Sequence, residues 1–257
     1  MSEKLDYRSG GIKPHSRCGI KLMCETLNKT NGNSIEVESM TSKFAEIEVT
    51  CIAVTPNAEK LIELAGRTAY KSFDKITDES AGEFIRRIVK NGHESVLEHA
   101  VASFRIKGIS RACSHQLVRH RLASYTQSSQ RFVDETGATY VVPPSIQNNE
   151  KVRALYWNHL HNVEAMYDLL KQEGIPNEDA RFVLPNATAT EIVMTANFRE
   201  WRHFFLTRGD PHAQWEIRAL ACTIFRQFQE FAPSVVDDLC IYEHRSAGLI
   251  IDRVVEE

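Results

Sequence analysis

Several common signatures are missing from this 257-residue chain, and each absence removes a class of function. No CxxC pair occurs among its six cysteines, Cys18, Cys24, Cys51, Cys113, Cys222 and Cys240. The chain is long enough to bury a core without staples and carries no secretory signal, so free thiols in a reducing compartment are expected. No apolar run approaches the ~20 residues of a membrane helix. The N-terminus lacks an apolar stretch, and Glu3 and Asp6 count against a transit peptide, which leaves the cytoplasm as the expected location. There is no GxGxxG after a strand pattern, no GxxxxGK[ST] and no GxSxG. Dinucleotide-binding Rossmann units, P-loops and α/β-hydrolase elbows are therefore disfavoured. An excess of positive charge is also missing: 31 Lys and Arg face 34 Asp and Glu, a net of −3. A nucleic-acid module that binds through its overall field is usually basic, so any anion site here has to be local.

What is present is first a change of texture near residue 42. Residues 1–42 are rich in Gly, Ser, Asn and Lys without clear period, and read as a loosely ordered extension. From residue 43 to 257 strand and helix patterns mix without strict alternation or a long linker, which predicts one α+β domain. EIEVTCIAV (46–54) alternates and is β-branched, so it reads as a strand broken at Pro56 and Asn57. AEKLIELAGRTAY (58–70) and ESAGEFIRRIVKNG (79–92) have helical spacing, the second ending on a capping glycine. AVASFRIKGI (100–109) reads as a strand, and SRACSHQLVRH (110–120) as a short helix with Ser110 as its N-cap. LASYTQSSQR (122–131) reads as loop and YVVPPS (140–145) as a strand stopped by Pro143 and Pro144. Residues 150–174 give the clearest helix, with Val152, Leu155, Val163, Met166 and Leu170 at three- and four-residue steps. Further helices are expected over 177–184, 197–207 and 213–231, with a strand over 189–196.

The local anion site is written as charge segregation. No acidic residue lies between His99 and Val133, while that stretch holds Arg105, Lys107, Arg111, Arg119, Arg121 and Arg131 with His115 and His120. Arginine presents a planar fork that matches phosphate oxygens. Ser124, Thr126, Gln127, Ser128, Ser129 and Gln130 interleave short neutral groups of the kind a sugar or base edge needs. The bland alternative is a solvated basic surface, or arginines paired to carboxylates elsewhere in the fold. Two more constellations stand out. GHESVLEH (92–99) spaces its histidines six apart, which fails the HExxH requirement for two metal ligands on one helix face, so no metal is expected. It reads either as a turn into a strand or as an imidazole packed on a cofactor ring. NFREWRHFFLTR (197–208) places Asn197 and Arg208 on one helical face, eleven steps of ~100° apart. Arg199 and His203 share another line, with Trp201, Phe204 and Phe205 between, a pattern that a core helix with a polar edge also fits.

Together RHRLASYTQSSQR (119–131), GHESVLEH and NFREWRHFFLTRGDPHAQWEIR resemble the flavin-dependent thymidylate synthases, whose signature is RHR, seven residues, Ser, one residue, Arg. The resemblance covers essentially everything after the extension. It implies a mainly antiparallel sheet flanked by helices and a homotetramer whose active sites are shared between subunits. It implies bound FAD reduced by NADPH, 5,10-methylenetetrahydrofolate as methylene donor, and dUMP as the small-molecule substrate converted to dTMP. By the same resemblance His93, Ser95, Arg119, His120, Arg121, Gln127, Asn197, Arg199 and His203 contact the flavin, although His203 stands where some members have asparagine. The nucleotide falls to Gln116, Leu117, Val118 and Arg119, to Gln127, Ser128, Ser129, Gln130 and Arg131, and to Arg181 and Arg208. Arg131 and Arg181 suit the phosphate, and Arg208 matches the arginine that polarises the pyrimidine. The family's mechanism uses no enzymic cysteine nucleophile. Consistently, no cysteine here sits in a PCQ-like context, and Cys113 reads as core. Ser129 reads as a nucleotide ligand rather than a nucleophile, since no base is evident in the sequence. The competing readings are a non-catalytic nucleic-acid binder, with steeply salt-dependent binding, and a degenerate relative that binds nucleotide without turnover.

Overall fold

A computed structural model describes residues 44–254; the expected extension over 1–42 lies outside them. Four antiparallel strands form the central sheet in the order β1-β2-β4-β3: β1 Glu48–Val54, β2 Val101–Ser110, β3 Ala123–Gln127 and β4 Ala189–Asn197. Alternation decides which face packs. In β4 Thr190, Ile192, Met194 and Ala196 are buried. In β2 Ala102, Phe104 and Ile106 join them on the core side. The other face is polar, with a Ser103–Thr195 hydroxyl pair at 2.8 Å and an Arg105–Glu191 ion pair. Gly108 sits at φ +71° where the β2 register shifts, and a Cβ there would lie 1.8 Å from the Glu46 carbonyl oxygen. Only glycine fits this bulge, which turns Ile109 and Ser110 inward and aims the chain into the next helix.

Helices cover the apolar face. α1 Ala58–Thr68 and α2 Ser80–Lys90 precede β2, and α3 Arg111–Leu117 follows it. α4 Pro144–Gln147, α5 Glu150–Gln172 and α6 Asn177–Ala180 come before β4, with α7 Phe198–Arg208 and α8 Trp215–Phe231 after it. A hairpin of β5 Leu239–His244 and β6 Gly248–Arg253 closes the described chain. The core is aromatic where α7 and α8 meet: Phe198, Trp201, Phe204, Phe205, Phe225 and Phe228 are all fully buried. Their rings meet mainly edge to face, as at Phe205–Phe225 (5.2 Å, 87°), the arrangement the ring quadrupoles favour. Among the described residues no helix is long and apolar enough to cross a membrane.

Ser110 caps α3 as expected, its hydroxyl accepting from the Cys113 N–H at 3.0 Å. α2 ends at Lys90 with Asn91 as C-cap, and Gly92 follows in the left-handed region at φ +72°, the expected glycine stop. The Gly92 and His93 N–H groups then return to the Val89 and Ile88 carbonyls, so the turn that ends the helix sets where His93 begins. Three expectations fail. Residues 123–127, read as loop, form edge strand β3, because their pairing partner β4 lies more than sixty residues away and leaves no local signal. The stretch at 140–145, read as a strand, makes only isolated bridges at Tyr140, and Pro144 instead opens α4 in the first-turn position that tolerates proline. Helix over 177–184 ends as α-helix at Ala180 and continues as a 3-10 turn, Arg181–Val183. The β5–β6 hairpin has no counterpart in the sequence reading.

Candidate active site

α7 builds one wall of a cavity of about 660 Å³, a size typical of small-molecule sites. Its lining combines Asn197, Arg199, His203 and Arg208 from this helix with Arg119, His120 and Arg121 from the turn after α3. The helical spacing of Asn197 and Arg208 thus becomes a shared cavity. Asn197 is also the N-cap of α7, its side-chain oxygen accepting from the Glu200 N–H at 2.9 Å. Arg119, Arg121, Arg199 and His203 are exposed, whereas His120 and Arg208 are not.

The buried part of the wall is a line of hydrogen bonds. Arg208 Nε donates to His120 Nε2 at 2.9 Å, and its Nη2 donates to the Gln116 carbonyl at 3.1 Å. His120 Nδ1 lies 3.0 Å from Glu200 Oε1. Burial pushes the His120 pKa below the usual imidazole value, with Arg208 and His203 acting in the same sense and Glu200 against it. His120, Glu200 and His203 are also close enough to one another to hold a metal ion. Both His120 ring nitrogens are committed to these hydrogen bonds and a guanidinium abuts one of them, so the group is better satisfied without a cation. Tyr125 reaches the Leu117 and His120 carbonyls with its hydroxyl, at 2.8 and 2.9 Å, and ties β3 to the RHR turn.

Two outer ion pairs frame the cavity. Arg199 meets Glu98 at 2.6 Å in the open. Arg202 is 1% exposed and forks onto Asp238 at 2.6 and 2.9 Å, with Glu94 at 3.2 Å. It joins α7 to the 3-10 turn Glu94–His99 on one side and to the approach to β5 on the other.

The remaining expected residues lie elsewhere. His93 and Ser95 line a second cavity of about 620 Å³, together with Tyr70, Lys75, Phe84 and Arg87 among others. Leu117 has its side chain in the core, so only its backbone is available to a ligand, and Val118 is partly exposed. Gln127 donates from its amide nitrogen to the Ser114 and Thr190 hydroxyls at 3.0 and 3.2 Å. Ser128, Ser129 and Gln130 form the turn after β3. The Ser129 hydroxyl accepts from the Arg131 N–H at 3.3 Å. Arg131 meets the Glu178 carboxylate at 3.0 Å while Arg181 Nε donates to the Glu178 carbonyl at 3.1 Å, so α6 brings these two arginines together. Arg111 reaches the Ser128 carbonyl at 2.8 Å, and its Nε is buried without a protein partner.

Sequence reasoning missed Glu200, Arg202, Tyr125 and Glu216. The first three are named above. Glu216, from α8, accepts from both the N–H and the hydroxyl of Ser110 at 2.6 Å and so fixes the start of α3. A signal for Glu200 existed: it is the one acid within an aromatic-rich helix, three residues after a cap and three before His203. Cys51, Cys113, Cys222 and Cys240 are free thiols. Burial pushes the Cys113 thiol far up, and that of Cys222 up to about 11, which keeps both protonated and inert.

The family described as thymidylate synthase complementing protein matches residues 50–234. A flavin-dependent thymidylate synthase from Geobacter sulfurreducens is 44% identical over 200 residues, spanning 75% of this chain and 86% of that protein. Thymidylate synthase X from Helicobacter pylori, solved with FAD and dUMP, is similar at 27% identity with a TM-score of 0.62, over 74% of this chain and 99% of that one. A UMP/dUMP methylase from Streptomyces cacaoi, solved with 5-Br dUMP, shares the fold at 23% identity and a TM-score of 0.67, over 74% and 93% of the two chains.

Proposed function

Because the chain belongs to the thymidylate synthase complementing proteins and is a flavin-dependent thymidylate synthase, we propose that it takes a methylene group from 5,10-methylenetetrahydrofolate onto dUMP and completes the methyl of dTMP with a hydride from FAD that NADPH has reduced. The observation that carries the reading is the wall of the α7 cavity: a half-buried, hydrogen-bonded Arg208 beside the half-buried Asn197 and the exposed Arg119, Arg121, Arg199 and His203.

The residues present fit both ligands. FAD, when bound, supplies the redox chemistry; the protein positions and polarises. Asn197, Arg199, His203 and the RHR turn offer donors around one cavity, and His93 and Ser95 offer a second set one cavity away. For dUMP, Arg131 and Arg181 converge at α6, and the unpartnered Arg111 Nε supplies a buried donor nearby, a set suited to a phosphate dianion. Arg208 would be the residue that stabilises negative charge developing on the pyrimidine, a task suited to a guanidinium. No thiol is needed: the buried cysteines are held protonated, and the Ser129 hydroxyl accepts from a backbone N–H rather than facing a base. Among the described residues the proposed ligands are spread over two cavities and the α6 face. That division supports a homotetramer in which neighbouring copies complete each site, in the cytoplasm where the free thiols persist.

The purified protein mixed with dUMP, methylenetetrahydrofolate and NADPH should form dTMP. Binding of dUMP without turnover would leave only a nucleotide-binding role, and failure of both would overturn the reading.

A further inference from the structure

Glu200, His120 and Arg208 form a single hydrogen-bonded line in the wall of the α7 cavity, and its proton positions follow from valence. A guanidinium has only donors. Arg208 Nε therefore needs a lone pair on His120 Nε2, 2.9 Å away. The neutral ring then carries its one proton on Nδ1 and donates it to Glu200 Oε1, 3.0 Å away. His120 and Glu200 are each 5% exposed, so each depends chiefly on its protein partner. The line leaves Arg208 with Nε and one Nη2 hydrogen committed, to His120 and to the Gln116 carbonyl. Arg208 itself lines the cavity.

We propose that Glu200 is a positioning residue: by accepting from Nδ1–H it holds His120 in the one tautomer that can accept from Arg208, and so fixes the guanidinium for the pyrimidine. The inference rests on the reading that Arg208 polarises dUMP. A buried carboxylate in this role also cancels the charge of Arg208 across an imidazole, so the fold carries the pair without an isolated buried charge.

A protonated His120 would turn an N–H toward the Arg208 N–H and break the line. Arg208 and His203 on α7 resist that protonation, as does burial, and Glu200 favours it. From β3 the Tyr125 hydroxyl meets only the backbone carbonyl of His120. Removing the carboxylate therefore makes His120 harder to protonate while freeing the wrong neutral tautomer.

Two measurements test this. The first uses the purified protein without substrate, labelled with ¹⁵N-histidine, the His120 signal being identified by its loss in H120Q. The line predicts Nδ1–H in the unaltered protein and a mixture of tautomers in E200Q. A neutral Nε2–H form in the unaltered protein overturns the proposal, whatever its activity and whether or not E200Q folds. The second is kinetic. E200Q should lose roughly 10- to 100-fold in kcat, as a misplaced catalytic group does, with flavin content and the KM for dUMP nearly unchanged. Its acid limb should move to lower pH, and E200D should restore part of the rate. Unchanged kcat with an unchanged acid limb overturns the proposal. Absence of dTMP from the unaltered enzyme would overturn the functional reading instead, and the tautomer would still decide the role of Glu200.

Discussion

The two cavities are nearly equal in volume, about 660 and 620 Å³, and are built in opposite ways. The α7 cavity has a wall of paired charge, buried at His120, Glu200 and Arg202 and half-buried at Arg208: Arg208 on His120, His120 on Glu200, Arg202 on Asp238 and Glu94. The cavity behind α2 has an apolar floor of Phe84, Ile88 and Val96 and a rim of exposed side chains, with Tyr70 at 86% and His93 also open. The first is organised before any ligand arrives, as electrostatic catalysis requires. The second presents an open surface with an apolar floor, suited to binding rather than to charge stabilisation. On the proposed reading, chemistry belongs to the α7 cavity and retention of the cofactor depends on both.

Substitutions that separate these roles follow in order of size. Arg208→Ala should lower kcat by about 100- to 1,000-fold, the scale of losing a preorganised charge-stabilising donor, while the protein stays flavin-loaded. Steady-state kinetics beside a visible spectrum checks both halves, and normal turnover would move the chemistry out of this cavity. Arg202→Ala strips a buried cation from Asp238 and Glu94 and should cost about 3 kcal/mol, or roughly 6–12 °C in melting temperature. A thermal melt that does not shift would mean the pairs are not what ties α7 to its neighbours. His93→Ala should weaken FAD retention about tenfold, or ~1.4 kcal/mol, with kcat at saturating FAD nearly intact. Loss of kcat instead would show that the second cavity takes part in chemistry. Arg199→Ala breaks an exposed pair with Glu98 that contributes under about 1 kcal/mol. Its melting temperature should hardly change, and equilibrium dialysis should show a modest loss of FAD affinity. A large fall in stability would mean that the rim is as preorganised as the buried line.

Much of this is legible in the sequence, for identifiable reasons. Period-two alternation in 46–54 and 100–109 survives as β1 and β2 because each strand alternates inward and outward by itself. Residues 150–172 do form α5, but its buried side is Trp157, Leu160, Val163 and Tyr167, and Val152, Leu155 and Met166 of the expected stripe are exposed. The Asn197–Arg208 spacing carried through to one cavity because helix geometry is local. What failed depended on distant partners. β3 is an edge strand whose Ser124 and Thr126 face outward, so its pairing with β4 is invisible in its own composition. Glu200 looks like an ordinary first-turn acid, and only the fold reveals that its carboxylate is buried against a histidine eighty residues away. The separation of His93 and Ser95 from the α7 cavity is likewise a fact of tertiary placement that no spacing records.

The account stands most directly on one observation, the visible spectrum of the purified protein followed through a reaction cycle without oxygen. It predicts a yellow protein whose released flavin is FAD, bleached by NADPH, with the colour returning when dUMP and methylenetetrahydrofolate are added together and not when either is added alone. A colourless protein that takes up no FAD, or a reduced protein indifferent to both additions, would contradict it.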